Sequence, residues 1–373
     1  MPLDRYPMIP TEEDGAEVVS RGSRLRFVIG FAIAAGAIYA VVSSAGGFGD
    51  SFRALTAARP GWLVIAASCE AVSYIMLGLL LRRLVAARVN RRNAIRLGLV
   101  VSGLGNILPA APAEGVTLAG AELRRRNVDS HTTWIALGLL QWYWVRTLFA
   151  IGSLDALIVV AVTSRRYSDE GPGRFVIGAV AVAILAVLAA TTWLASRRQT
   201  MELVALLVGK LRILRGPRTS IEWRAQGAAW HAEIHEVLGS RTSRTAIIAL
   251  AAGSCLADAA CFHFAFVAVG VHLSPALFLF AYAVGMLTTL VPFVPNGLGV
   301  VETVVPALLH HTGVPLATAL AGVLAFRALA TVLPAVGGVL SLVRLRLAHP
   351  DHERADHERA DHERADHERD RTR

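Results

Sequence analysis

The chain has 373 residues, 54% of them hydrophobic and 17% charged, with a mean hydropathy of +0.50. A soluble domain carries roughly a quarter charged residues, so this composition excludes a disordered protein and an ordinary soluble enzyme. The net charge of +9 comes from 37 basic and 28 acidic residues. Lys210 is the single lysine, and such Arg usage in an Ala- and Gly-rich chain reads as codon bias, so no nucleic-acid partner is expected. Three cysteines, Cys69, Cys255 and Cys261, lie in apolar blocks at no metal-binding spacing, and read as small apolar filler.

Residues 1–26 are polar and form an N-terminal segment without a cleavable signal. Apolar blocks of about 20 residues, the length that crosses a bilayer core as a helix, follow at 27–45, 61–81, 132–162, 175–195, 246–269 and 315–343. These predict six spanning helices in one all-α polytopic bundle over 27–347. Two further apolar segments, 94–121 and 275–311, are interrupted. The first is broken by Pro109 and Pro112, the second by Pro292 and Pro295. A proline removes a helical hydrogen bond and clashes with the preceding turn, so neither segment is a continuous helix.

Basic loops set orientation. Six arginines and no acid occupy 82–96, nine basic residues against four acids occupy 196–244, and Arg344 and Arg346 follow the last span. These loops are assigned to the cytoplasm, with both termini. Arg124, Arg125 and Arg126 then fall on the same side as 82–96, so 94–121 leaves on the side it came from. By the same count 275–311 begins and ends outside. Two broken hairpins of opposite orientation, one in each half, are the signature of inverted-repeat transporters. The alternative is that each segment is two short or tilted full spans.

Loop 196–244 is too long for a plain connector. Met201, Val204, Leu207, Leu211 and Leu214 form an apolar stripe, which fits a helix lying on an anionic leaflet or, equally, a packed helical hairpin. The segment 348–373 is a low-complexity charged tail with Asp-His-Glu-Arg four times. Its histidines recur every five residues, which turns them around a helix and does not align them as metal ligands. The tail reads as solvated.

Ionisable residues inside apolar blocks are costly and therefore functional candidates. They are Glu70, Arg146, Asp155, Asp258, His263, Glu302, His310, His311 and Arg327. Arg146 and Asp155 are too far apart along one helix to pair. The sharper candidates lie at the breaks. The run 295–302 is a Pro/Gly turn leading into a half-helix, whose N–H groups favour an anion. Gly297 and Gly299 would let a headgroup approach the backbone. Arg327 is either the buried partner of Glu302 or a phosphate ligand, since its fork suits phosphate geometry. In the first break, Asn106 would satisfy backbone groups freed by the prolines, and Glu114 has no sequence-local partner.

The run 294–302, then Gly313-Val314-Pro315, Arg327 and Leu333-Pro334 with Gly337 resemble the lysylphosphatidylglycerol synthase transmembrane region, a flippase-like family. Asn106, Leu108-Pro109 and Leu123-Arg124-Arg125-Arg126 agree. The resemblance covers roughly residues 25–345. Where many relatives carry an Arg, a Gly-acid step and a further Arg in the first hairpin, this chain has Ala111, Ala113-Glu114 and Thr117. The resemblance implies a bacterial inner-membrane protein handling lipid headgroups. Bifunctional relatives continue into a cytoplasmic aminoacyl-transferase domain. Here a charged tail follows the bundle, so a translocase without enzymatic activity or cofactor is expected. Its partners would be phospholipids or lipid-linked anionic substrates. The rival expectation is a non-transporting membrane anchor for a cytoplasmic glycosyl- or aminoacyl-transferase.

Overall fold

A computed structural model describes residues 48–105, 112–166, 172–195, 197–210, 220–289 and 295–347. The described residues are helical, with no strand among them. This is the expected answer of a chain in lipid, where every backbone polar group must be satisfied within its own segment. The chain is a multi-pass membrane protein.

Helix α1 (Phe48–Thr56) precedes α2 (Pro60–Leu84), which starts with a proline at its first turn and ends on Arg82 and Arg83. Proline suits that position because the first N–H groups have no helical partner. After α3 (Arg91–Leu99) and a π-helical turn, Val100–Leu104, comes α4 (Pro112–Arg124). Then follow α5 (Ser130–Arg166), α6 (Pro172–Ala195), α7 (Arg198–Lys210) and α8 (Ser220–Val237). The last group is α9 (Arg241–Ala268), α10 (Pro275–Thr288), α11 (Val301–His311), α12 (Leu316–Arg327), a π-helical turn Ala328–Val332, and α13 (Leu333–Leu347). Asn90, Ser240 and Ser274 cap α3, α9 and α10, each accepting a backbone N–H three residues on, as N-cap side chains do.

Among the described residues four stretches are long and apolar enough to cross a membrane: α2, Ser130–Ala161, α9 and Leu316–Leu347. A fifth arises if Gly178–Leu194 and Arg198–Leu207, bent by 96°, count as one. Six were expected. The expected span 27–45 lies outside the described residues, as do the tail and the centres of both breaks.

The two interrupted segments are each a pair of helices folded against one another. Gly115 of α4 packs on the backbone of Val101 and Gly105. Arg88, before α3, meets Asp129, after α4, at 2.6 Å, so both ends of the first pair lie at one end of the bundle, beside the end of α2. In the second pair Gly285 of α10 faces Val301 and Val305 of α11. Leu273 and Leu309, at its two ends, share one core cluster. That end of the bundle is where the Arg59 N–H donates to the Ala268 carbonyl at 2.9 Å, beside the start of α2.

Small residues set the close approaches, as they do where lipid leaves no hydrophobic force between helices. A Cβ on Gly78 would lie 2.5 Å from Ile95 Cα, and one on Gly338 would lie 2.7 Å from the Leu99 carbonyl oxygen. The first limb is thus held between α2 and α13. Buried Glu122 and Arg126 pair at 3.0 Å, and Arg126 also donates to the Leu345 carbonyl at 3.4 Å.

Within loop 196–244 the described helices α7 and α8 pack on one another: Gly227 of α8 sits on the backbone of Met201 and Glu202 of α7. His131 of α5 ties α8 down through Gln226, at 3.0 Å, and Glu233. Leu203, Val204 and Leu207 remain exposed on α7, while Leu211 and Leu214 lie outside the described residues.

Candidate functional site

The site begins with two local irregularities. Pro334 has no N–H, and its ring would strike the carbonyl four residues back, that of Ala330. The chain answers with the π-helical turn Ala328–Val332, and the Ala330 carbonyl accepts the Tyr74 hydroxyl at 3.3 Å. Such π turns concentrate at functional sites. Arg327 is the residue immediately before it. The second irregularity is the turn Pro295–Gly297 and its sequel. Asn296, Gly297 and Gly299 all have left-handed φ, at 48°, 62° and 83°. Glycine takes this conformation without strain, and asparagine at less cost than most residues.

That turn aims backbone groups at side chains. Glu302 Oε2 accepts the Gly299 N–H at 2.7 Å, and Glu302 Oε1 accepts Arg327 Nε at 3.0 Å. Arg327 Nη2 donates to the Asn296 carbonyl at 2.8 Å. The acid in the first turn of α11 also faces the positive end of its helix. The guanidinium is thus fixed along one edge, and its Nη1 makes no hydrogen bond among the described residues.

Arg327 lines a cavity of about 180 Å³. Both folded pairs contribute, the first through Val101, Ser102 and Gly105 and the second through Met286, Thr289 and Asn296. Helices α2, α5 and α9 supply Glu70, Tyr74, Gln141, Trp144 and Asp258. The volume is below the roughly 300–1,000 Å³ of a site that encloses a drug-sized ligand. It fits a phosphate-sized group with a few waters.

Residues 27–338 match the lysylphosphatidylglycerol synthase TM region. The chain belongs to this family. No curated protein matches it. Within this lysylphosphatidylglycerol synthase TM bundle, the structure brings together Arg327, Glu302, Gly297 and Gly299 as one unit. The expected open anion site at the start of α11 is altered: Gly299 N–H is taken by the chain's own Glu302 carboxylate, which lies close enough to fold back on it. Gly297 serves the other limb, since a Cβ there would lie 3.0 Å from Thr289 Cα. Pro295 begins the turn. Pro112 and Glu114 lie on the backbone of α4, whereas Asn106, Pro109 and Pro292 lie outside the described residues.

The interior holds a second polar group that the breaks gave no hint of. Helices α2 and α9 run antiparallel, with Ser254 donating to the Ser73 carbonyl at 3.1 Å. One turn further along, Glu70 and Asp258 face each other within hydrogen-bonding reach. They are 1% and 7% exposed, and Asp258 accepts the Tyr282 hydroxyl at 2.7 Å. Each was marked as a costly intramembrane acid by sequence, but nothing in a single sequence pairs residues so far apart.

Proposed function

We propose that this member of the lysylphosphatidylglycerol synthase TM family is a lipid translocase of the bacterial inner membrane. In this reading it moves a phospholipid or lipid-linked anionic substrate between leaflets, with no enzymatic step of its own. The two folded pairs are re-entrant hairpins entering from opposite faces as inverted repeats, and both termini are cytoplasmic. The observation that carries the reading is the cavity shared by both pairs, with Arg327 held along one edge and its Nη1 without a hydrogen bond among the described residues. A guanidinium fixed in this way binds phosphate with little loss of side-chain freedom. Glu302 positions it, and the acyl chains remain in the bilayer while the headgroup passes. Broken backbone is tolerated at membrane depth only where it is buried or lines such a cavity.

The test is leaflet exchange of labelled phosphatidylglycerol and other anionic lipids in proteoliposomes. Wild type should exceed empty liposomes for at least one lipid. Arg327→Lys keeps the charge but loses the fork and should slow exchange. Arg327→Ala should abolish it. Equal rates for wild type and empty liposomes across these lipids, or for wild type and a folded Arg327→Ala, would sink the proposal.

A second reading is membrane anchorage of a cytoplasmic transferase. It draws on the exposed Leu203, Val204 and Leu207 of α7, beside a helix pinned to α5. Capture of such an enzyme by the full chain, lost in Leu203→Glu/Leu207→Glu, would favour it.

A further inference from the structure

The charges of the cavity do not balance within the site. Arg327 is the cation whose charge reaches Asp258, but its Nε is joined to Glu302. Among the described residues, Glu70 and Asp258 face each other with no basic side chain in ion-pair contact with either. As two carboxylates they are both acceptors, and Glu70 Oε2 has no hydrogen-bond donor among the described residues. Two like charges at this range, away from water, do not both ionise. A single proton between them supplies the donor, removes one charge and satisfies both groups.

The surroundings fit this use. The groups facing the pair from the packed helices are Tyr74 and Cys69 on α2, Cys255 and Cys261 on α9, and Tyr282 on α10. All are neutral hydroxyls or thiols. From α5 the cavity wall adds Gln141 and Trp144, and from the first pair Ser102. None competes as a fixed cation. Both acids line the same cavity as Arg327, so a proton gained or lost there changes the field at the guanidinium.

We infer that Glu70 and Asp258 form a proton-binding site that couples leaflet exchange to the proton gradient. This rests on the translocase reading above. The pair takes one proton from the aqueous phase on one side and releases it on the other. With the proton bound, the cavity carries one negative charge less and accepts the anionic group at Arg327. When the cavity opens to water on the far side, hydration lets the proton leave, and the repulsion between the two ionised acids and the anionic group favours release.

Two measurements test this separately. Infrared difference spectra of the purified full chain should show a protonated carboxyl band at neutral pH. The band should shift in deuterium oxide and be lost in E70Q and in D258N. Amides keep the shape of the site, so both variants should fold. Absence of the band in wild type, or its persistence in both variants, overturns the proton site. In proteoliposomes an imposed gradient of about one pH unit should bias the leaflet ratio by up to about tenfold for one proton per lipid. A protonophore should abolish the bias, and E70Q should not respond. Exchange in wild type that ignores the gradient, or that follows a sodium gradient at fixed pH, overturns the coupling. A carboxyl band without any lipid exchange supports the proton site and overturns the translocase reading instead.

Discussion

Removing the Arg327 side chain should expose how firmly the second hairpin is locked to the last span. In Arg327→Met, Glu302 stays buried with Gly299 N–H as its remaining donor. The lost contacts are Nε to Glu302 at 3.0 Å and Nη2 to the Asn296 carbonyl at 2.8 Å. Both side chains are at most 10% exposed, so solvent screens the pair little. Breaking a buried pair from one side costs about 3–5 kcal/mol. A neutral hydrogen bond between helices in a membrane averages about 0.6 kcal/mol. The gap between these values separates a charge pair from an ordinary polar contact. Glu302→Gln should cost a similar amount to Arg327→Met, because it strands the guanidinium. The double variant contains neither charge, and its amide oxygen still accepts from Gly299. It should lie within about 2 kcal/mol of wild type, since a buried pair replaced as a unit is often near neutral. Equilibrium unfolding in mixed micelles measures all four proteins. A cost under about 1 kcal/mol for Arg327→Met, or a double variant equal to the sum of the singles, would refute the reasoning.

Other substitutions probe packing, backbone and surface charge. Gly78→Ala should destabilise by about 1–3 kcal/mol, because its Cβ would meet Ile95 backbone at 2.5 Å, while Gly138→Ala, with nothing within 4 Å, should not. Thermal unfolding of the pair in one detergent checks the contrast. Gly299→Ala should cost about 1–2 kcal/mol through its φ of 83°, read by the same melt. Asp129 lies outside the spans. Burial raises its pKa, but the Thr132 N–H and hydroxyl and Arg88 outweigh this and hold it below the ordinary 3.8. Its stabilisation is therefore complete above that value and is lost as pH falls through the lower folded one. With its side chain 53% exposed, the effect should stay under about 1 kcal/mol. The stability difference between wild type and Asp129→Asn should shrink as pH drops from 5 through 3 and as salt rises. A difference independent of both would contradict the assignment.

Much of the bundle was legible from sequence because lipid constrains it severely. Long apolar blocks had to be helices, and α2, α5, α9 and the Leu316–Leu347 stretch follow. Prolines marked where 94–121 and 275–311 could not continue, and the structure adds the Arg88–Asp129 contact between the two ends of the first pair. The Arg327–Glu302 pairing was one of two readings of residues that are expensive to bury, and the structure makes it a contact. The loop 196–244 was ambiguous because an apolar stripe serves a membrane surface or a partner helix equally well. Only the approach of Gly227 to Met201 and Glu202 distinguishes them.

What sequence could not decide was which helices touch, and at what register. A span apolar all round shows no preferred face, and lipid contacts are as favourable as contacts to leucine. Partners are then chosen by small residues and scattered polar groups. Gly253 receives Met76, and Ser254 meets Ser73 across 181 residues. That register, set by tertiary packing, is what brings Glu70 to Asp258 and both to the cavity of Arg327. Composition and blocks of hydrophobicity determined that this chain spans a membrane with two interruptions. The packing of α2 on α9 decided where two of its buried acids meet, because only close approach in three dimensions makes two distant acids compete for one proton.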